Sequence, residues 1–176
     1  MPTVARWLAA LAVGVAAVAL FASVIAHSSD GPIGPLAGGP FRSGELVPEA
    51  KIDWESLART PTVELQLVDP PRSRTTHIVV LDGRAYIPSG IVKVGPFVFL
   101  GQAFWKQWPD DVLKDPRVIV RSDGRLYEAR AVKVDDRQIH AALSALTSAK
   151  YDMRLQEPPD PEQVWFFRLE PRGRGA

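Results

Sequence analysis

A chain of 176 residues has room for one ordinary domain and an accessory segment, and a formal net charge of +1 gives no strong field for nucleic acid or an anionic surface. The absence of cysteine excludes disulfides, thiolate metal sites and cysteine nucleophiles, and leaves the compartment open. Hydrophobic residues make up 46% of the chain, and part of that content belongs to the amino terminus rather than to a core.

Trp7 to Ala26, WLAALAVGVAAVALFASVIA, carries no charge and at helical rise is long enough to span roughly 30 Å of hydrocarbon. Arg6 before it and Val24-Ile25-Ala26 at its end suit a signal peptide; its length favours an uncleaved anchor over residues 1–26. Cations precede the span, and none follows before Arg42, which predicts the amino terminus inside and the domain extracytoplasmic. Residues 27–48, with GPIGPLAGGP, hold too few apolar side chains to offset ordering entropy and are expected to form a flexible tether.

The domain is expected over 49–170. Asp53 caps a short helix in which Trp54 and Leu57 share a face. Val63, Leu65 and Leu67 alternate with Glu64 and Gln66, the period of a strand with one wet face. A hairpin follows, Thr75 to Leu81 returning through Asp82-Gly83 to Arg84–Pro88. The apolar run Ile91 to Phe104 is broken by Gly95-Pro96; it could wall a pocket or touch the membrane, and edge cover of a barrel is the favoured expectation. Pro109-Asp110-Asp111 opens a helix that Asp115-Pro116 stops.

Val118-Ile119-Val120, the turn Ser122-Asp123-Gly124 and the stretch Leu126 to Val134 form a second hairpin. Asp135-Asp136 caps a helix to about Ala149 with Ile139, Leu143 and Leu146 in one apolar stripe, set on the sheet or plugging a barrel end. After EPPDP, Val164 to Leu169 reads as a final strand, and residues 171–176 as a disordered tail. The fold class predicted is mainly β (α+β): a small split β-barrel with helical caps, preceded by one transmembrane helix.

The order RTTHIVVLDGRAYIPSG, WKQWPDDVLKDPRVIV, LYEARAVKV resembles the flavin-binding split-barrel superfamily, which includes pyridoxamine-phosphate-oxidase-like proteins and deazaflavin-dependent nitroreductases. Leu113-Lys114-Asp115-Pro116-Arg117-Val118 matches its helix–stop–strand element best, and the similarity runs from Trp54 to Ala149. The resemblance implies a homodimer with FMN or a deazaflavin at the subunit interface. Carried onto this chain, it implies a cofactor site of Arg74, Thr75 and Thr76 at the start of a strand, Ser89 and Gly90 at a hairpin's end, Lys106 before the helix and Arg130 on the returning strand. A phosphate suits such converging cations and hydroxyls.

The residues also bear plainer readings. Arg74 and Arg130 could blunt strand edges, Thr75 and Thr76 suit a strand by propensity, and Trp105 and Trp108 suit packing. His27, His77 and His140 are too dispersed to suggest a metal site, and no nucleophile elbow or phosphate loop occurs. Three functions are therefore weighed: a membrane-tethered oxidoreductase of nitroreductase type, a barrel that binds a cofactor or small hydrophobic ligand without turnover, and a structural or partner-binding protein of the envelope.

Overall fold

The structure, a computed structural model, describes residues 2–34, 36–90, 107–152 and 164–172. The Ile91–Phe104 run, Lys106, Trp105 and the EPPDP linker lie outside the described residues. The elements are α1 (Pro2–Ser28), β1 (Glu45–Leu46), β2 (Thr62–Leu67), β3 (Ser73–His77), β4 (Val79–Leu81), β5 (Arg84–Gly90), α2 (Trp108–Lys114), β6 (Arg117–Ser122), β7 (Arg125–Lys133), α3 (Arg137–Tyr151) and β8 (Val164–Pro171). Single 3₁₀ turns occupy Glu49–Lys51 and Trp54–Leu57.

Both expected hairpins form, and their turns show why. Asp82-Gly83 and Asp123-Gly124 all have positive φ, from 48° to 73°, the paired left-handed geometry that lets a two-residue loop follow the twist of its strands. The sheet order is β3-β2-β6-β7-β8-β5-β4, with β1 added in parallel to β7. Its two outermost strands, β3 and β4, are consecutive in the chain and separated by Ile78 alone. A sheet whose edges are tied by one residue must curl until those edges meet, so the topology closes a barrel.

The stretch Thr75 to Leu81, expected as one strand, is accordingly two. Its first half pairs with β2 and its second with β5, and the chain changes partner at the fully buried Ile78. The Ile78 carbonyl accepts from Lys150 Nζ at 2.8 Å and Tyr151 Oη at 2.6 Å, and Lys150 also donates to the Ala58 and Thr60 carbonyls, each at 2.8 Å. The end of α3 thus stitches the joint.

Inside the barrel, Val63, Leu65, Val118, Val120, Ala129, Ala131, Phe167 and Leu169 form one core, which Trp54, Leu57, Trp108 and Val112 join. These are the alternate positions of β2, β6, β7 and β8. The α3 stripe packs outside: Leu143 is buried with Val79, Tyr86 and Phe166, flanked by Ile139 and Leu146. Its N-cap is Asp136, whose carboxylate accepts from the Gln138 and Ile139 amides.

Two expectations about the amino-terminal third need restating. Residues 30–47 do not hang as a tether: Gly38 bridges to Ser73, Phe41 N donates to Gln66 Oε1 at 2.6 Å, and Glu45–Leu46 pair with β7. The glycines and prolines that make this segment look like coil allow its backbone to lie close against the sheet. Helix α1 exists, with 27 residues and exposed apolar side chains such as Trp7 and Phe21. Over the described residues alone, no helix is long and apolar enough to cross a membrane, so the fold by itself does not establish a span.

Candidate functional site at the barrel mouth

Register decides which side chains enter the barrel. Arg74 and Thr76 stand opposite Leu65 and Val63, which are core, so both face inward. On β5, Ala85 and Ile87 are core, and Ser89 is in phase with them opposite Trp165, which packs on the same core. Lys133, in phase with Tyr127, Ala129 and Ala131, stands opposite Phe167. Because neighbouring strands run antiparallel, the start of β3 and β8 and the end of β5 and β7 lie at one mouth.

The floor of this mouth is aromatic. Trp108 and Phe167 have ring centroids 5.2 Å apart, and Trp165 and Phe167 6.4 Å, in tilted and edge-on contact. A cation sits at each end of the row: the Arg74 guanidinium lies 5.9 Å from the Trp108 ring and Lys133 Nζ 4.4 Å from the Trp165 ring. Burial pushes the Arg74 guanidinium down to about 10; Asp111 opposes that shift and Arg72 adds to it. Arg74 stays cationic at neutral pH, in surroundings that an anion would improve.

The residues expected from the sequence are thus divided. Arg74 and Ser89 face the interior at this mouth; Thr76 also faces inward, but toward the opposite end of β3, opposite Val63. Thr75 stands opposite Glu64 on the outer face, Gly90 is out of phase with Ser89, and Arg130 lies outside between Arg117 and Glu170. The structure does not bring Thr75 or Arg130 to Arg74, because strand alternation sends them to the other side of the sheet. Lys133 and Trp165 were missed, although the alternation of LYEARAVK already put Lys133 in phase with Ala129 and Ala131.

On the outer face lies an open groove of about 630 Å³ lined by Asp30, Ser43, Glu64, Thr75 and Arg121 among others. Hydrogen bonds from the Ser43 hydroxyl and the Arg42 amide, with Arg121 beside them, hold the Asp30 carboxyl down at about 2. A depressed acid contributes to stability above its unfolded value of about 3.8 and loses that contribution as pH falls toward 2. A carboxylate-resolved NMR titration is therefore expected to give an Asp30 midpoint near 2, and Ser43→Ala to move it upward; a midpoint near 3.8 would contradict this geometry.

Strand order, the one-residue joint and the two hairpins define a mainly β split barrel. No protein-family model matches the sequence, and no curated protein matches it. Among solved structures, the chain is similar to a Listeria innocua protein described as a candidate pyridoxamine 5'-phosphate oxidase, at 20% identity and TM-score 0.47 over 71% of this chain and 94% of the other. It is similar to an F420 reductase at 19% identity and TM-score 0.43, covering 72% and 97%. A conserved hypothetical protein from Mycobacterium tuberculosis matches at 16% identity and TM-score 0.48, covering 75% and 85%. At these values the likeness decides neither ligand nor activity.

Proposed function

We propose that this chain is a membrane-anchored split-barrel protein that binds FMN or a deazaflavin at the barrel mouth and works as an oxidoreductase of nitroreductase type. The observation that carries the reading is the row Trp108–Phe167–Trp165 between two inward cations, Arg74 and Lys133. A flavin pairs a planar, largely apolar ring system with an anionic phosphate tail. The donor set fits: the half-buried Trp165, backed by Phe167 and Trp108, suits the ring, and the guanidinium with the Ser89 hydroxyl suits the phosphate.

The bound cofactor would supply the hydride chemistry. The chain's own residues would bind and orient it. Arg74 would neutralise the phosphate, Lys133 would add positive potential at the far end of the row, and the aromatic floor would keep water from one ring face. The resemblance in element order adds a homodimer.

The anchor reading rests on the charge-free run Trp7 to Ala26 in the sequence and on the exposed apolar side chains of α1, such as Trp7 and Phe21. Positive charge before it places the barrel outside the membrane in this reading. Retention of the full chain in the membrane fraction after an alkaline wash is the expected result, and release into the supernatant would refute the anchor.

The cofactor reading is tested by absorbance titration of the full chain in detergent micelles with FMN and then with a deazaflavin. Saturable binding is expected to one of them. Arg74→Ala should weaken it about tenfold to a hundredfold, the range for losing a charge-assisted contact. No saturable binding of either cofactor by the unaltered protein would refute the reading. Binding without reduction of a nitroaromatic by the reduced cofactor would refute the catalytic part alone.

A further inference from the structure

Residues 29–34 and 36–47 form a strap on the outer face of β2, β3 and β6, and four of its side-chain bonds to the sheet come from one residue, Arg121. Arg121 Nη1 donates to Asp30 Oδ1 at 2.9 Å and Nη2 to the Asp30 carbonyl at 3.0 Å, while Nε pairs with Glu64 across β2. Its guanidinium lies 4.2 Å from the Phe41 ring and reaches the Ser43 carbonyl at 3.3 Å. One cation, 12% exposed in its side chain, thus joins the first third of the strap, its middle and the sheet. Charge-assisted bonds in such half-buried settings are stronger than exposed ion pairs.

Where the strap meets β3 it behaves as a further strand. Gly38 N donates to the Ser73 carbonyl at 2.8 Å, Ser73 N to the Gly38 carbonyl at 3.0 Å, and Ser73 Oγ to the Gly39 carbonyl at 2.6 Å. Only glycine fits: a Cβ on Gly38 would meet the Gly31 carbonyl oxygen at 1.8 Å, and one on Gly39 the His27 carbonyl oxygen at 2.4 Å. The strap is therefore folded on the end of α1 and on β3 at once. Ser73 is held from the strap side, and Arg74, the next residue, from the β2 side.

We propose that Arg121 is the clasp that keeps the 29–47 strap docked, and that the docked strap fixes the edge of β3 and so positions Arg74 at the barrel mouth. Arg121 is a positioning residue: its side chain is on the outer face, and its effect reaches the mouth through Asp30, Gly38 and Ser73. The value of that position for a ligand rests on the proposed cofactor reading. The clasp itself does not.

The test uses the full chain in detergent micelles with no flavin present, so that failure of cofactor binding leaves its outcome intact. Arg42 is the only Lys or Arg between residues 29 and 47, so trypsin cleavage after it reports release of the strap. Arg121→Ala is expected to speed that cleavage by about tenfold or more and to raise amide exchange over 73–76 by a similar factor, with β7 and β8 unchanged. Asp30→Ala, at an exposed site that leaves the core intact, should shift both readouts the same way by less, and it decides the matter if Arg121→Ala does not fold. Unchanged cleavage in the folded variants would overturn the clasp. Faster cleavage with unchanged exchange over 73–76 would overturn the positioning of β3.

Discussion

Phe167→Ala is expected to destabilise the barrel by about 3–5 kcal/mol, the usual cost of emptying a large buried aromatic site. Phe167 is fully buried on the interior strand β8, between Trp108 and Trp165, with β5 and β7 on either side. Its neighbours are held by separate elements, α2 and β8, so the space cannot close by one element sliding inward. Guanidinium unfolding followed by tryptophan fluorescence would read the change as a lower midpoint with an unchanged slope. Phe167→Leu, which leaves a smaller void, should lose less. A loss below about 1 kcal/mol for the alanine variant would mean that the aromatic row is not rigidly packed.

The second large effect is at the joint. Lys150→Met keeps the length of the side chain and removes all three donors from the Ala58, Thr60 and Ile78 carbonyls. Each orphaned carbonyl that water cannot reach costs about 1–3 kcal/mol, but this cluster is only half-buried and water will replace part of the loss. About 2–3 kcal/mol is the expected total from the same unfolding measurement. Tyr151→Phe should lose less, because Lys150 still satisfies the Ile78 carbonyl and the main loss is the bond that the Ile78 amide donates to the Tyr151 hydroxyl at 3.1 Å. Equal stability of Lys150→Met and the parent would show that the joint is held by β4–β5 pairing alone.

What the sequence made legible is local. Asp82-Gly83 and Asp123-Gly124 announced both hairpins, Pro109 and Pro116 bounded α2, and the Ile139, Leu143, Leu146 spacing gave α3 its buried face. The strap was not legible, because its order comes from Arg121, which is 91 residues from Asp30 in the chain. A run of Gly and Pro looks like coil until a partner of that kind is known. The change of partner at Ile78 carries no Gly or Pro to mark it, so one β-prone run looked like one strand. For the site, alternation was the neglected signal. Counting outward from Ala129 and Ala131 places Arg130 outside and Lys133 inside, whereas matching the order of elements alone had chosen Arg130.

The one-residue joint also determines how this barrel can yield. A ring closed by a continuous ladder admits a bulky guest only by breaking main-chain bonds along a whole strand. Here the closing line is a covalent link at Ile78, reinforced by two adjacent side chains from the end of one helix. The barrel is therefore a clip rather than a hoop: parting β3 from β5 strains a hinge and a few side-chain bonds while the ladder from β3 round to β4 keeps its hydrogen bonds.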